Sequence, residues 1–524
     1  MLRHTRLTES YDWMVLGDSP ACLLSAALVA RMGLSVLVVG DGSDKKWSLS
    51  SSGQVIDPET NFISGLGRPG PQLGLAGKCL EHFRLADSEW SLFGQEDPLF
   101  QALTPAVRAG FSSENELLNR EVIRESGGSA DFIHSLLNVM ASGADSIRDY
   151  WSELPSRLTL PVSTISSTPS GLHDSGKKTE STPVERPGGI TESLMYRELG
   201  RTWSELAVDF GRMSVSPIER EWIEAWLVAS LGTEIPHRIS GYELLQSLVL
   251  AKDGVRVRGG LSGLRQLLYR VAARAGAHVV DPTLAVSRLF MEEGKILGVQ
   301  LSGAEDARNL TRARGILTSQ HPEKVLSWMT AQEQAPSRYP ETCEMLRITL
   351  ALTVRASGIP VGMARRALWK EAGAPALELD QTDPADYGFL NSGSEFVFIR
   401  SYFPMEALSW PVHRWKTVCQ RMFRQGCELM PFLEKNVERI FPDFRSENFE
   451  AEWSEYYGVN RLTAVDSFRA PVAIPSKPFL PQIEGLFYAH RSAAPASGWM
   501  GEWAAALNAS AWIAHRSGIA GPLG

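Results

Sequence analysis

Residues 11–41 read YDWMVLGDSPACLLSAALVARMGLSVLVVGD, and this opening decides the fold of the chain. Residues 11–16 are an apolar strand pattern, followed by a tight turn and a helix of small residues over 22–32. Gly33 ends that helix, and the VLVV run after it predicts a parallel strand covered on both faces. This order of strand, turn, helix and strand is the βαβ unit of dinucleotide-binding domains.

The turn of this unit departs from the GxGxxG pattern that holds a pyrophosphate. In the intact pattern the first glycine makes the turn, the second admits the phosphate, and the third lets the helix pack on the strand. Here the three positions are Gly17, Ser19 and Cys22, with the negative charge of Asp18 beside them. Because a serine can donate a hydrogen bond, this turn alone predicts a weakened cofactor site rather than an abolished one.

The acidic residue that would hold the adenosine ribose falls on Gly40. Asp41 follows it directly and is the alternative candidate, provided that the register slips by one residue. Such a slip is unfavourable because successive residues of a strand point to opposite faces.

Composition limits the function classes. The 524 residues suffice for two or three domains or for one large intertwined α/β body, and their 44% apolar and 21% charged fractions are ordinary for a soluble globular protein. A net charge of −8 gives no basic surface for nucleic acid. The five cysteines are scattered without a CxxC pair, which favours reduced thiols and a cytoplasmic location. The polar start shows no cleavable signal, and the apolar stretches are too short for a transmembrane segment, so that peripheral membrane contact stays open.

Other motifs predict neither a metal site nor a catalytic residue. The sequence has no zinc-ligand spacing, no GxSxG elbow and no Walker loop. His321 and His490 are more typical of surface or capping positions than of catalysis. The RGGLSGL segment at 258–264 favours a plain turn before a helix over an anion cradle. Aromatic residues of the second half favour core packing, with an apolar lipid tunnel as the alternative: Phe403, Trp410, Trp415, Trp453, Tyr456, Tyr457, Trp499 and Trp503.

The chain divides into five predicted segments. Residues 1–110 form the first part of a Rossmann-like dinucleotide-binding region, and 256–340 form its second part. Residues 111–255 form a helical region with a Ser, Thr, Pro and Gly-rich insertion at 155–189, whose composition predicts mobility. Residues 341–475 form a substrate or partner domain, and 476–524 return to the Rossmann-like domain.

The order of these segments resembles the phytoene-desaturase and retinol-saturase branch of the two-dinucleotide-binding-domain flavoproteins. Amine oxidases and Rab GDP-dissociation inhibitors share that scaffold. The resemblance rests on the opening βαβ unit, DPETNFISGLG at 57–67, RGGLSGL at 258–264, TSQHP at 318–322 and the final strand, loop and helix. It implies an α/β flavoprotein fold with a Rossmann-like FAD/NAD(P)-binding region and a mixed α+β substrate or partner domain.

The resemblance also implies a third cofactor contact in the last loop. Family members carry an acidic residue shortly before a Pro-Gly-rich turn, and aligning Pro495, Gly498 and Gly501 with that turn puts Arg491 at the acidic position. An arginine can pair with a phosphate, so Arg491 and Gly498 stay candidate cofactor-binding residues.

Alteration of all three contacts favours an eroded site with no FAD or weakly bound FAD. The predicted function is therefore a non-catalytic binding or assembly protein for a lipophilic small molecule or a protein partner. The alternative is an active FAD-dependent oxidoreductase acting on an apolar substrate such as a polyene, a retinoid-like compound or an amine.

Overall fold

The computed structural model describes residues 10–40, 47–48, 55–56, 62–66, 74–94, 98–104, 107–126, 133–138, 216–231, 248–249, 252, 254–280, 284–302, 310–320, 325, 328–329, 344–370, 375–383, 386, 393–459, 463–466, 483–489 and 499–521. The 155–189 insertion lies outside these ranges. The named helices are α1 (Pro20–Arg31), α2 (Leu75–His82), α3 (Asp87–Trp90), α4 (Asn115–Ser126), α5 (Pro217–Leu231), α6 (Gly260–Arg274), α7 (Val412–Leu429), α8 (Leu433–Asn436), α9 (Phe449–Val459) and α10 (Trp499–Arg516). Short 3-10 helices lie at Ala356–Gly358 and Met405–Ser409.

The strands fall in four sheets. They are β1 (Ser10–Leu16), β2 (Val36–Val39), β3 (Trp47–Ser48), β4 (Val55–Ile56), β5 (Phe62–Ile63), β6 (Phe93–Gly94), β7 (Phe100–Leu103), β8 (Arg108–Phe111), β9 (Val255–Val257), β10 (His278–Val279), β11 (Ala285–Glu292), β12 (Lys295–Ser302), β13 (Leu310–Thr318), β14 (Glu344–Arg355), β15 (Arg366–Trp369), β16 (Leu377–Thr382), β17 (Ser394–Pro404), β18 (Val437–Phe441), β19 (Thr463–Asp466) and β20 (Leu486–Tyr488).

The first sheet carries the opening βαβ unit. Its order is β10-β2-β1-β13-β12-β11, and β20 pairs with β13. The β10, β2, β1, β13 and β20 strands run parallel, whereas β11 and β12 form an antiparallel hairpin. Segments far apart in the sequence therefore meet at the carboxyl ends of the parallel strands, which is where open α/β sheets bind ligands.

Helix α1 is buried along its whole length, from Pro20 to Ala30. Its alanines and Cys22 keep its surface thin, so that it packs against both α6 and α10. The predicted helix over 22–32 is confirmed, although it begins two residues earlier because Ser19 caps it.

The β11–β12 hairpin turns at Glu293 and Gly294, both with positive φ, which is the backbone conformation of a type I′ turn. The predicted turn and helix at 258–264 and the predicted final strand and helix are confirmed. RGGLSGL contains the turn and start of helix α6, and the last strand and helix are β20 and α10. The predicted segment boundaries stay a prediction.

A second sheet forms the other large unit, with the order β18-β14-β17-β16-β15-β7-β8 and β19 paired to β14. One face packs against α7 through an apolar cluster that includes Trp415 and Phe403. A small third sheet, β5-β9-β6, lies beside the second sheet, since the Arg366 guanidinium of β15 covers the Phe62 ring of β5. In the described part of the chain, no helix is both long and apolar enough to cross a membrane.

Candidate functional site

The turn after β1 retains its first glycine for two structural reasons. Gly17 has a φ of +127°, which side-chain-bearing residues rarely adopt. A Cβ there would also lie 2.7 Å from the Ser319 Oγ, just beyond β13. Gly17 is therefore required by the close approach of β1 and β13, whether or not a cofactor binds.

Ser19 caps helix α1. Its Oγ accepts a hydrogen bond from the Cys22 backbone N at 3.2 Å, and its backbone is extended, as is usual for an N-cap residue. Ser19, which replaces the second glycine of the pattern, thus satisfies one backbone N–H of the first helical turn with its own hydroxyl.

A second amide of the same turn is bound by a carboxylate from the other end of the chain. Glu502, in the first turn of α10, accepts a hydrogen bond from the Ala21 backbone N at 3.1 Å through its Oε1. Its side chain is buried, with 4% of the residue exposed. A carboxylate is favourable there because the N-terminus of a helix carries a partial positive charge.

Every backbone N–H group of residues 20–23 has an acceptor within the protein. Pro20 has no N–H, Ala21 donates to Glu502, Cys22 donates to the Ser19 hydroxyl, and the Leu23 N donates to the Ser19 carbonyl at 3.0 Å. The first turn of α1 is thus satisfied by groups of the protein itself.

Asp18 adds a second buried carboxylate at this turn, with 5% of the residue exposed. The Arg265 Nε on α6 lies 3.9 Å from the Asp18 Oδ2. Asp18 and Glu502 both raise the pKa of the nearby Cys22 thiol through their negative charge, so that two carboxylates lie near the α1 N-terminus.

Cys22 is a packing residue. It is fully buried, and its Sγ lies 3.9 Å from the Ala489 carbonyl oxygen that follows β20. Burial raises the pKa of the Cys22 thiol to about 12, against hydrogen bonds from Ser319 and Ser19 that lower it. The thiol therefore stays protonated at neutral pH and fills the contact between helix and sheet.

A tyrosine lies beside Gly40, the position at which the glycine pattern predicts a ribose-binding acid. A Cβ at Gly40 would lie 3.4 Å from the Tyr269 Oη, which belongs to α6. Any side chain at this position would therefore contact Tyr269. The alternative candidate Asp41 lies outside the described residues.

The remaining candidates of the last loop, Arg491 and Gly498, also lie outside the described residues, as do His321 and His490. The helix that follows is described, and it contacts the 57–67 segment. The Trp503 Nε1 donates to the Ser64 carbonyl at 3.3 Å. Gly65, with a φ of +83°, lies so close to α10 that a Cβ would come within 2.1 Å of the Met500 Sδ.

The aromatic residues that the sequence assigns to the core belong to a core cluster, or pack against one, wherever the structure describes their side chains. Phe403, Trp415 and Trp453 belong to the cluster between the second sheet and α7, and Trp410 packs against it. Trp503 lies in the core of the first unit, and Trp499 packs against that core. The described aromatics of this set therefore favour packing over a lipid tunnel.

Sequence reasoning found Gly17, Ser19 and Cys22, which the structure brings together, but it missed Glu502 and Tyr269. Local patterns do not reveal the contacts of these two residues, because each contacts a segment far away in the chain. A carboxylate in the first turn of the C-terminal helix was the only available signal for Glu502. Among the described residues, no group of three or more His, Cys, Asp or Glu side chains could hold a metal ion.

Comparison with known proteins identifies the fold through structure alone. No protein-family model and no curated protein sequence matches the chain. An oxidoreductase from Methanosarcina mazei superposes with a TM-score of 0.50 at 12% identity, covering 93% of this chain and 99% of that one. A putrescine oxidase variant from a redesign of cofactor binding gives 0.50 at 13% identity, covering 96% and 98%. A Rab GDI from Plasmodium falciparum gives 0.46 at 10% identity, covering 94% and 97%.

The chain therefore has the mixed α/β fold, with several sheets, of the FAD-dependent oxidoreductases. This confirms the predicted fold class. At such low identity the likeness extends to the fold alone, and activity has to be argued from the site.

Proposed function

We propose that this chain is a non-catalytic binding or assembly protein on the fold of the FAD-dependent oxidoreductases, with an eroded FAD site. Its partner is a lipophilic small molecule or another protein. The resemblance of the sequence to a superfamily that includes Rab GDP-dissociation inhibitors supports a role in binding. The phytoene-desaturase-like branch remains the family assignment that the sequence motifs favour.

The observation that carries the proposal is the occupied first turn of α1. A dinucleotide cofactor places its pyrophosphate on the amides at this end of the helix. Here Glu502 and Ser19 bind two of those amides, and Asp18 adds a buried negative charge. A diphosphate would have to displace a carboxylate and then lie beside another, so the residues present do not fit FAD in the usual way.

The first experiment is a search for bound or bindable FAD. We expect the purified protein to be colourless and to gain no thermal stability from FAD, because only a ligand that binds the folded state stabilises it. A yellow protein that releases about one FAD per chain would overturn the proposal and favour the active oxidoreductase. A binding protein that had kept its cofactor site would gain about 2.7 kcal/mol at a FAD concentration of 100 times Kd.

A second experiment restores the motif. The variant Ser19→Gly, Cys22→Gly, Gly40→Glu is expected to bind FAD no better than the unaltered protein, because the Glu502 carboxylate at the Ala21 amide still repels a phosphate. Adding Glu502→Gln to the same variant removes the competing charge, and measurable FAD affinity is expected only then. FAD binding by the triple variant alone would contradict the role given to Glu502.

A search for the partner follows from the same proposal. Organic extraction of the purified protein, followed by mass spectrometry, tests for an apolar small molecule that remains bound in stoichiometric amount. Oxidase and desaturase assays with amine and polyene substrates are expected to show no turnover above a denatured control.

A further inference from the structure

A second group of buried charges lies on one face of the second sheet. Glu378 on β16 is paired in register with Arg400 on β17, and Asp380 on β16 is paired with Arg366 on β15. Because alternate residues of a strand share a face, these four side chains lie on the face opposite the α7 core. All four residues are buried, and Arg400 has no exposed surface.

The charges pair closely within the face. The Arg366 Nε lies 2.7 Å from the Glu378 Oε1, and the Arg400 Nη1 lies 3.1 Å from the Asp380 Oδ2. The Tyr402 hydroxyl donates to the Glu378 Oε2 at 2.9 Å. Burial alone would raise the pKa of Glu378, but Arg366, Arg400 and Tyr402 outweigh it and lower this pKa to about 2. The carboxylate is therefore held in its charged form.

The face continues into the third sheet. The Arg366 guanidinium lies 4.8 Å above the Phe62 ring of β5, whose neighbour across the strand pair is Arg256 on β9. Arg256 in turn forms a 2.6 Å ion pair with Asp386. We call Arg256, Arg366, Glu378, Asp380, Asp386 and Arg400 the junction cluster.

A guanidinium donor of Arg366, within the junction cluster, has no acceptor in the described part of the chain. The Arg366 Nη1 has no hydrogen-bond partner among the described residues, and it is shielded from solvent because only 7% of the Arg366 side chain is exposed. A buried donor of this kind destabilises the folded protein when nothing satisfies it. Native proteins usually match such a donor with a bound water, ion or ligand.

The charges of the face point to the kind of acceptor. Arg347, paired in register with Tyr402, lies on the same face, so that the buried residues of this face include three arginines and two carboxylates. Guanidinium groups bind carboxylates and phosphates through parallel hydrogen bonds. Phe396 and Phe398 lie on the same face, and the Arg400 guanidinium lies 5.4 Å from the Phe398 ring. Polar and apolar groups are therefore adjacent.

We propose that the junction cluster binds the oxyanion head of an amphiphilic ligand, a carboxylate or a phosphate, with Arg366 as the main donor. Phe62, Phe396 and Phe398 provide the apolar surface next to that head. The apolar part of the ligand rests on the proposed function, whereas the anionic head rests on the cluster itself.

Calorimetric titration of the full-length protein with three lipids of one tail tests the head group. The probes are oleate, oleoyl lysophosphatidate and oleyl alcohol, each below its aggregation concentration. At least one anionic lipid is expected to bind tenfold or more tightly than the alcohol, because a hydrogen bond to a charged group is worth about 1.5–3 kcal/mol. The tighter anion identifies the head. Equal affinities for all three lipids, or no binding of any, would overturn the inference.

A variant pair assigns the site. Arg366→Gln is expected to reduce the affinity for the anionic lipid about tenfold and to leave that for the alcohol unchanged. Arg355→Gln on β14 is the matched control, since Arg355 is exposed and pairs only peripherally with Glu438. Unchanged anion binding in Arg366→Gln would refute the assignment of the site to Arg366. If that variant does not fold, the head-group comparison on the unaltered protein decides whether an anionic head binds. FAD binding would overturn the proposed function without touching this comparison, whereas colourless protein without lipid binding would overturn this inference alone.

Discussion

Replacing Glu502 by glutamine tests the central contact of the site with a minimal change of shape. Glutamine keeps an oxygen that can accept from the Ala21 amide but removes the negative charge. A hydrogen bond to a charged group exceeds a neutral one by about 1 kcal/mol. A negative charge at a helix N-terminus adds about 0.3–1 kcal/mol, and up to about 2 kcal/mol when it is partly buried. With 4% of Glu502 exposed, we expect a loss of about 1–2 kcal/mol.

Hydrogen exchange measured by mass spectrometry reads out this loss locally. Because 1.4 kcal/mol is a factor of ten, peptides covering the start of α1 are expected to exchange about 5–30 times faster in Glu502→Gln. Global unfolding is less suitable, since a chain of this size need not unfold in two states.

Glu116→Gln is the matched control, because Glu116 also lies in the first turn of a helix but is exposed. Its effect is expected to stay at or below about 0.5 kcal/mol, since solvent screens an exposed charge. Unchanged exchange at α1 in a folded Glu502→Gln protein, or an equal effect in the control, would refute the reasoning.

Three further predictions follow from the described contacts. Gly65→Ala is expected to lower the melting temperature more than the control Gly362→Ala. Both glycines have a φ of +83°, but only at Gly65 would the new Cβ clash with the Met500 Sδ. Equal shifts of the melting temperature would contradict this packing. Burial raises the pKa of Cys22 to about 12, so that its thiol is expected to resist iodoacetamide at pH 8 in the folded protein and to react after unfolding. Rapid labelling of the folded protein, detected by mass spectrometry, would contradict this burial. Since the pKa of Glu378 is lowered from 4.5 to about 2, its stabilising contribution is complete above pH 4.5 and is lost as the pH falls towards 2. The melting temperature of Glu378→Gln is therefore expected to depend less on pH in that window. A pH dependence equal to that of the unaltered protein would contradict this.

Local chemistry explains which parts of the fold could be read from the sequence. The β1, α1 and β2 unit was predictable because apolar period, small residues and Gly33 act within a few residues of one another. The β11–β12 hairpin was predictable for the same reason, since Glu293 and Gly294 supply its turn. The junction cluster was not predictable, because its strands come from separate parts of the chain and its charges meet only after the sheet has formed.

The sequence by itself determined that a dinucleotide-type βαβ unit forms and that its glycine pattern is altered at Ser19 and Cys22. It could not decide what the alteration does, because a serine at that position can serve a phosphate or cap a helix. Only the tertiary structure decided, by bringing Glu502 across 481 positions of sequence to the Ala21 amide. The physical reason is that hydrogen bonds and charge pairs depend on distances in space, which the local order of residues does not specify.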